Sequence, residues 1–253
     1  MKKYIVILTV LACFKGYAQD PIHTQFFMIP ETLSSSFTGG KQSTRAGIIH
    51  RTQWAGLNFS VNTQFAFADN WFEEVSSGIG ISVLNHQETT TRYNFTQVNL
   101  NYAYQFSISD SWNVRPSISL GYGSKDFGFQ NLILEDQINI FSGVINGTSF
   151  DPIDLDESIR FIDFSASVLF NNENSWIGLT VKHLNKPNIS MRFSGQESLE
   201  MFMSLHGSLN IPFGSYKNDN KLFVLANVMQ QGSYNRVDLG AKYQMDRFSF
   251  ALL

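Results

Sequence analysis

Five histidines carry most of the chain's potential for metal or acid–base chemistry, and their spacing gives that chemistry little support. They are His23, His50, His86, His183 and His206. No pair follows the H-x-x-x-H or H-E-x-x-H pattern that sets two metal ligands on one face of a helix. The single cysteine, Cys13, lies in a segment that we expect to be removed. The sequence therefore predicts neither a metal site nor a bound cofactor.

Nucleophilic catalysis is also weakly supported. His183 lies seven residues before Ser190, and some outer-membrane barrels are lipases or deacylases that use a Ser-His pair at the rim. The chain has no G-x-S-x-G turn, however, which would present a serine nucleophile above a sheet. We predict that the protein is not an enzyme. A lipid-modifying enzyme with its site at the rim of a membrane barrel stays open as an alternative.

Two polar stretches are candidate sites for contact with a partner protein. One follows an apolar run, and the other holds a proline between asparagines. Their residues are Asp136, Gln137, His183, Asn185, Pro187 and Asn188. Asn and Asp side chains also form turns with their own backbone, and proline stiffens a loop. Partner contact and loop structure both stay open as interpretations.

Alternating strands must position these stretches. In residues 95–108, Val98, Leu100 and Tyr102 alternate with Gln97 and Asn99. This period of two is typical of a strand with one apolar and one polar face. The same pattern predicts eleven strands, at 44–54, 57–67, 77–85, 95–108, 112–123, 159–170, 176–183, 199–211, 222–230, 236–243 and 248–253.

Strand length and aromatic placement favour a membrane barrel over a soluble sandwich. Strands of about 9–11 residues match a tilted crossing of a bilayer, whereas sandwich strands average about 5–6. Trp54, Trp71, Trp112 and Trp176 lie near predicted strand ends, as in an interfacial aromatic girdle. We predict an all-β, transmembrane, antiparallel up-and-down β-barrel. Because eleven is odd and the last strand is short, we expect the barrel to be incomplete at its C-terminus.

The two faces of each strand have different predicted surroundings. The face with large apolar side chains is predicted to meet lipid, and the polar face is predicted to line the lumen. In residues 57–67 the apolar face consists of Leu57, Phe59, Val61, Phe65 and Phe67. Because a charge facing lipid is costly, Arg45, Arg51 and Arg115 are predicted to face the lumen and pair with acids there. Pro116 cannot donate to a ladder, so we expect a bulge near it.

The first 18 residues have the pattern of a secretory signal peptide. Two lysines precede an apolar run at 4–14, and small residues at 16 and 18 suit the cleavage site. A lipobox at 10–13, ending in Cys13, is the alternative. Removal of this segment takes away three lysines and no acid, so the formal charge falls from −3 to −6. That charge argues against nucleic acid as a partner.

Residues 19–43 are predicted to form an extended segment packed against or inside the domain, and residues 44–253 to form the barrel domain. If the strands alternate in direction, the two longest connections, 124–158 and 184–198, lie at the same end. Outer-membrane barrels have short periplasmic turns and longer outside loops. We therefore expect the outer membrane of a Gram-negative cell, with the N-terminus in the periplasm.

Four stretches resemble the PorP/SprF family of type IX secretion system outer-membrane proteins of Bacteroidetes. They are QDPIHTQFFMIPETLSSSFTGG at 19–40, RAGIIHRTQW at 45–54, LILEDQI at 132–138 and DFSASVLFNNENSWIGLTVKHLNKPNIS at 163–190. The likeness covers nearly all of residues 19–250. The family's early Asn-Pro pairs are replaced here by Ile29-Pro30 and by Leu33-Ser34-Ser35, so the packing of that segment is expected to differ.

The resemblance implies a complete barrel of about 14 strands. It also implies a non-catalytic protein that helps secrete or anchor a cell-surface adhesin or gliding-motility protein. The implied partners are outer-membrane lipid, an adhesin with a type IX C-terminal signal, and other components of the secretion system. An outer-membrane transport barrel for small or hydrophobic solutes is the alternative.

Overall fold

The fold is one large antiparallel sheet in which each long strand pairs with the next long strand along the chain. The computed structural model describes residues 20–21, 23, 26–57, 59–128, 133, 135–139, 142–145, 158–191, 195–212, 220–245 and 248–252. The strands are β1 (Arg45–Gln53), β2 (Val61–Phe72), β3 (Ser77–Glu88), β4 (Asn94–Tyr104), β5 (Phe106–Ser107), β6 (Asn113–Asp126), β7 (Ile138–Asn139), β8 (Val144–Ile145), β9 (Ser158–Asn171), β10 (Ser175–Lys182), β11 (Phe202–Pro212), β12 (Lys221–Gln231), β13 (Tyr234–Met245) and β14 (Phe248–Leu252).

Eleven of these strands follow one another across the sheet in the order β1-β2-β3-β4-β6-β9-β10-β11-β12-β13-β14, and the short β5 also pairs with β6. The strands β7 and β8 form a separate two-stranded hairpin. The predicted all-β, antiparallel, up-and-down architecture is confirmed, and each predicted strand overlaps one long strand. The signal peptide predicted at 1–18 lies outside the described residues.

The two ends of the sheet differ in their connections. The connections that follow β2, β4, β9, β11 and β13 start at what we name the short-turn end. The connections that follow β1, β3, β6, β10 and β12 start at the opposite end, which we name the long-loop end. Among the described residues, no helix has both the length and the apolar character needed to cross a membrane.

The two faces of the sheet alternate residue by residue, because successive side chains of a strand point to opposite sides. In β6 the side chains of Arg115, Ser117 and Ser119 are buried on the inward face, whereas Ile118 and Leu120 are exposed on the outward face. The same contrast holds in β9, where Asp163 is buried and Ile162 is 54% exposed. An exposed apolar face opposite a buried polar face is the reverse of a water-soluble sheet.

The prediction for residues 57–67 was wrong in two respects. The strand begins at Val61 and runs to Phe72, because a turn after Trp54, closed by a hydrogen bond from Leu57 N to Trp54 O, precedes it. The aromatic face of β2 also points inward. Phe65 is only 5% exposed and packs on the ring of His23, at a centroid distance of 6.4 Å. The N-terminal segment therefore supplies the apolar contact that the sequence pattern attributed to lipid.

The bulge expected near Pro116 does not form. Ala103 pairs with Ser117 and Phe106 pairs with Val114, so the register is the same on both sides of the proline and no residue is inserted. The ladder instead breaks into β4 and β5 opposite Pro116, because proline has no N–H to donate. On its other side β6 keeps an unbroken register with β9.

Candidate functional site

The described residues of the N-terminal segment, 20–21, 23 and 26–43, lie along the inward face of the sheet. Its first described residue, Asp20, donates its backbone N–H to Gln231 Oε1 at 2.9 Å, and Gln231 ends β12 at the long-loop end. Residue 44 precedes β1 at the short-turn end. The segment therefore passes from one end of the sheet to the other, and the candidate site is the interior that it occupies.

An apolar cluster anchors the early part of the segment. Phe26 and Leu33 pack against Phe202 of β11 and Met229 of β12, and all four side chains are buried. Burying a side chain of this size contributes about 1.5–3 kcal/mol. The contact is also why β11 and β12 turn two large apolar side chains toward the interior.

Serine hydroxyls form a second contact, nearer the short-turn end. Ser35 and Ser36 lie in a 3-10 turn, Ser35–Phe37. Ser35 Oγ lies 2.9 Å from Ser117 Oγ of β6, and Ser36 Oγ donates to Ser167 Oγ of β9 at 2.8 Å. Small hydroxyls on both sides let the backbone of the segment approach the strands closely.

Cations projecting from the strands hold the segment by its carbonyl groups. Arg115, only 2% exposed, donates to Ser36 O at 3.0 Å and to Thr38 O at 2.6 Å. Its guanidinium lies 5.3 Å from the centre of the Trp71 ring. Lys182 Nζ donates to Thr32 O at 3.0 Å. These bonds satisfy carbonyls that the short 3-10 turns of the segment leave unpaired.

The three arginines predicted to face the lumen have different partners. Arg45 pairs with Glu31 of the segment at 2.6 Å and with Asp69 of β2. Arg115 hydrogen-bonds to main-chain carbonyls and to Gln105, rather than to the acids that the sequence suggested, because the segment brings its backbone to this position. Arg51 lies on the inward face of β1, in register with Thr63.

A buried histidine lies between two carboxylates near the long-loop end of the sheet. His183 follows β10 and its side chain is 1% exposed. Its Nε2 lies 2.7 Å from Asp20 Oδ2, and its Nδ1 lies 3.0 Å from Asp163 Oδ2. Gln97 donates to the same oxygen of Asp163 at 2.9 Å. We name Asp20, His183 and Asp163 the histidine clamp.

The electrostatics of the histidine clamp favour its charged form. Burial alone lowers the pKa of His183, but the Asp20 and Asp163 carboxylates outweigh burial and raise that pKa to about 9. Burial raises the pKa of Asp20, but His183, Lys182 and Gln231 lower it to about 2. At neutral pH an imidazolium therefore bridges the N-terminal segment and β9.

His183, which the sequence analysis offered as a candidate for contact with a partner protein, is thus a buried residue. The burial that removes it from a partner's reach also removes it from the rim chemistry considered with Ser190. Sequence reasoning missed Asp20, Asp163 and Gln97 altogether. The one available signal was the position of Asp163 on the same strand face as Ser165 and Ser167, which marked a polar interior.

The close approach of two glycines sets the position of the segment at the short-turn end. Gly39 has a φ of +68°, which favours glycine. A Cβ added to Gly78 of β3 would lie 2.2 Å from Thr38 O. Backbone therefore packs directly on backbone here, and no larger residue fits at Gly78 without moving the segment.

The predicted loop 185–188 is organised by its own side chains. Asn185 accepts from Phe164 N at 3.1 Å and donates to Ile162 O at 2.7 Å, so it continues the ladder of β9 beyond the end of β10. Asn188 Oδ1 accepts from Ser190 N and Glu197 N, each at 3.0 Å. Pro187 is buried, and its carbonyl accepts from Leu199 N. These contacts favour the loop-structure interpretation.

Replacing Asn188 with alanine tests that interpretation. We expect faster amide hydrogen exchange at residues 189–191 and 195–199, with a local destabilisation of about 1–2 kcal/mol, because two backbone N–H groups lose their acceptor. Lys186→Ala is the matched control, since its exposed ion pair with Glu200 contributes little. Unchanged exchange in Asn188→Ala would contradict a structural role for this side chain.

The other predicted contact residues lie on an exposed loop. Asp136 and Gln137 belong to a 3-10 turn, Glu135–Gln137, that leads directly into β7. Asp136 is exposed and Gln137 is half-buried. The adjoining hairpin exposes Ile138, Val144 and Ile145.

A cavity lies between the N-terminal segment and the inward face of the sheet. The cavity beside the histidine clamp has a volume of about 70 Å³ and is lined mainly by polar side chains. Within the part of the chain that the structure describes, no cluster of three or more His, Cys, Asp or Glu side chains is arranged to hold a metal ion.

Comparison with known families bears on what this interior serves. The family described as type IX secretion system membrane protein PorP/SprF matches residues 15–252, which is nearly the whole chain. Comparison with curated proteins finds no match. The matched range includes both the sheet and the N-terminal segment that fills it. The chain therefore belongs to the PorP/SprF family of type IX secretion system membrane proteins.

Proposed function

We propose that this protein is a non-catalytic outer-membrane component of the type IX secretion system that helps secrete or anchor a cell-surface adhesin or gliding-motility protein. Its short-turn end faces the periplasm and its long-loop end faces the outside. Residues 1–18 direct its export as a signal peptide. Its partners are the secreted adhesin, other components of the secretion system and the lipid of the outer membrane.

The observation that supports binding over transport is the position of the N-terminal segment against the inward face of the sheet. The described residues of the N-terminal segment lie along the inward face, held by the histidine clamp, by Arg45 and by Arg115. Transport of small or hydrophobic solutes, the alternative function, would need this segment to leave.

The contact surface that we propose for the secreted partner is the exposed turn at Asp136 and Gln137 with the apolar hairpin beside it. Its exposed isoleucines and valine, next to acidic side chains, offer both apolar and polar contact. Burial of apolar side chains is the main source of affinity in a protein interface, and polar groups around it add specificity. The buried His183 and Pro187 take no direct part.

A secretion assay tests this proposal. The double variant Asp136→Ala/Gln137→Ala replaces the chromosomal copy, and the surface level of the adhesin is measured with an antibody on intact cells. We expect a fall of about tenfold, which corresponds to a loss of about 1.4 kcal/mol in binding. The matched control is Glu73→Ala/Glu74→Ala, in the exposed 3-10 turn Glu73–Val75 at the short-turn end.

Two outcomes would overturn the proposal. Wild-type adhesin levels in a strain that lacks the protein would exclude a role in secretion or anchoring. Single-channel conductance of the purified wild-type protein in planar bilayers would favour solute transport. An equal fall in the two double variants would move the contact surface away from Asp136 and Gln137.

A further inference from the structure

The outward face of six neighbouring strands is divided into registered rows of one polarity. The strands are β1, β2, β3, β4, β6 and β9, and each row takes one residue from each in strict pairing. One row is apolar throughout and consists of Ile48, Ala66, Val83, Val98, Tyr122 and Ile162. The next row toward the short-turn end is also apolar and consists of Ala46, Ala68, Ile81, Leu100, Leu120 and Phe164.

Toward the long-loop end, the outward side chains change from apolar to polar between one row and the next. The adjoining row consists of His50, Gln64, Asn85, Thr96, Ser124 and Arg160, and the row beyond it consists of Thr52, Asn62, Gln87, Asn94, Asp126 and Ser158. All twelve outward positions in these two rows are thus polar. The apolar side chains below them are well exposed, with Ile48 at 75% and Leu100 at 58%.

Side chains within the polar rows bond to one another. Thr52 Oγ1 donates to Asn62 Oδ1 at 2.8 Å. Asn85 Nδ2 donates to Asn94 Oδ1 and to Thr96 Oγ1, each at 2.8 Å. Such lateral pairing lowers the cost of placing polar groups next to an apolar medium, because each bond is made within the protein.

The apolar rows belong to an apolar belt on the outward face of the sheet. The height of this belt indicates what covers it. On β9 the outward apolar positions run from Ile162 to Phe170, which spans about 27 Å along the strand at about 3.4 Å per residue. A strand tilt of about 40° reduces this to about 21 Å, close to the apolar band of about 25 Å on membrane barrels. The belt therefore matches the hydrocarbon thickness of an outer membrane.

We propose that lipid acyl chains cover this belt and end between the row of Ile48 and the row of His50. The side chains of the two polar rows then lie in the lipid headgroup layer and in the water beyond it. This inference deepens the proposed outer-membrane location by adding the level at which the lipid ends. Only the assignment of the two polar rows to the outside of the cell rests on the proposed function.

Cysteine pairs across the boundary test the proposal. In the full chain carrying Cys13→Ser, single cysteines replace Gln64 or Ala66 on β2, and Asn85 or Val83 on β3. Each purified protein is reconstituted in phosphatidylcholine vesicles and reacted with a polar maleimide. The thiolate is the reactive form, and it does not form readily in hydrocarbon, so we expect reaction roughly tenfold slower at Ala66→Cys and Val83→Cys. In urea the two members of each pair should react equally.

Lipid contact is measured separately from slow reaction. A fluorophore on the same thiols should be quenched by acyl-chain nitroxide lipids at positions 66 and 83, and much less at positions 64 and 85. Equal reaction rates across the boundary would overturn the proposal. Slow reaction without nitroxide quenching would also overturn it, because the belt would then be covered by protein.

Intact cells separate this inference from the proposed orientation. A membrane-impermeant maleimide should label Gln64→Cys and Asn85→Cys on whole cells if the long-loop end faces outward. Absence of that label, together with a clear contrast in vesicles, would refute the orientation and leave the lipid boundary standing.

Discussion

Replacing His183 with asparagine is expected to detach the start of the N-terminal segment from the sheet. The change removes the imidazolium that lies between Asp20 and Asp163 and leaves two buried carboxylates without their common partner. Removing one member of a buried ion pair costs about 3–5 kcal/mol. Asparagine is chosen because His183 has a φ of +59°, a conformation that asparagine adopts more readily than most residues.

Hydrogen exchange of the segment measures this effect. We expect amides in residues 26–34 to lose most of their protection in His183→Asn, whereas amides in β12 and β13 keep theirs. His50→Asn is the matched control, because His50 is exposed on the outward face of β1. Adding Asp20→Asn to the His183→Asn variant should restore part of the protection, because one uncompensated charge is removed. Full protection in the single variant would refute the histidine clamp.

The same contact makes the stability of the segment depend on pH. The pKa of His183 is about 9 in the folded protein, above the ordinary value of 6.5, so its stabilisation is complete below pH 6.5 and is lost as the pH rises through 9. The difference corresponds to about 3 kcal/mol. The pKa of Asp20 is lowered to about 2, so its contribution is lost only as the pH falls from 3.8 through 2. In His183→Asn the alkaline loss of protection should disappear.

Replacing Gly78 with alanine is the second change with a large expected effect. The new Cβ would lie 2.2 Å from Thr38 O and 2.7 Å from Thr38 C, and both are backbone atoms that cannot rotate away. Overpacking of this kind costs about 3 kcal/mol or more when neither side can move. We expect the segment around Thr38 and Gly39 to shift off β3.

Exchange at Thr38 and Gly39, together with the midpoint of urea unfolding, should report this shift. Gly56→Ala is the control, because an added Cβ there meets no atom within 4 Å. A Gly78→Ala variant that unfolds at the wild-type urea concentration and keeps the protection of Thr38 would show that the segment does not pack against β3 as described.

The local part of the architecture could be predicted from the sequence. A strand can be recognised from a period of two in the polarity of its own side chains, without knowledge of the neighbouring strands. Residues 112–123 and 159–170 were therefore located to within a few residues of β6 and β9. The inward direction of Arg115 followed from the same alternation, since a charge on the apolar face would meet lipid.

The contacts made by the interior depended on the tertiary structure alone. Asp20 and His183 are 163 residues apart, and neither has a sequence pattern that names the other. The inward turn of Phe65 and the burial of His183 both follow from where residues 20–43 lie, which strand periodicity does not encode.

The boundary on the outward face shows the division most clearly. Each strand by itself displays only a change from apolar to polar side chains, such as Ala66 to Gln64 or Val83 to Asn85. Strand register decides whether such changes align into one edge, and register is set by pairing between strands distant in sequence. The sequence alone thus determined how side chains alternate along each strand, while tertiary pairing determined that the outward changes from apolar to polar fall together at one level.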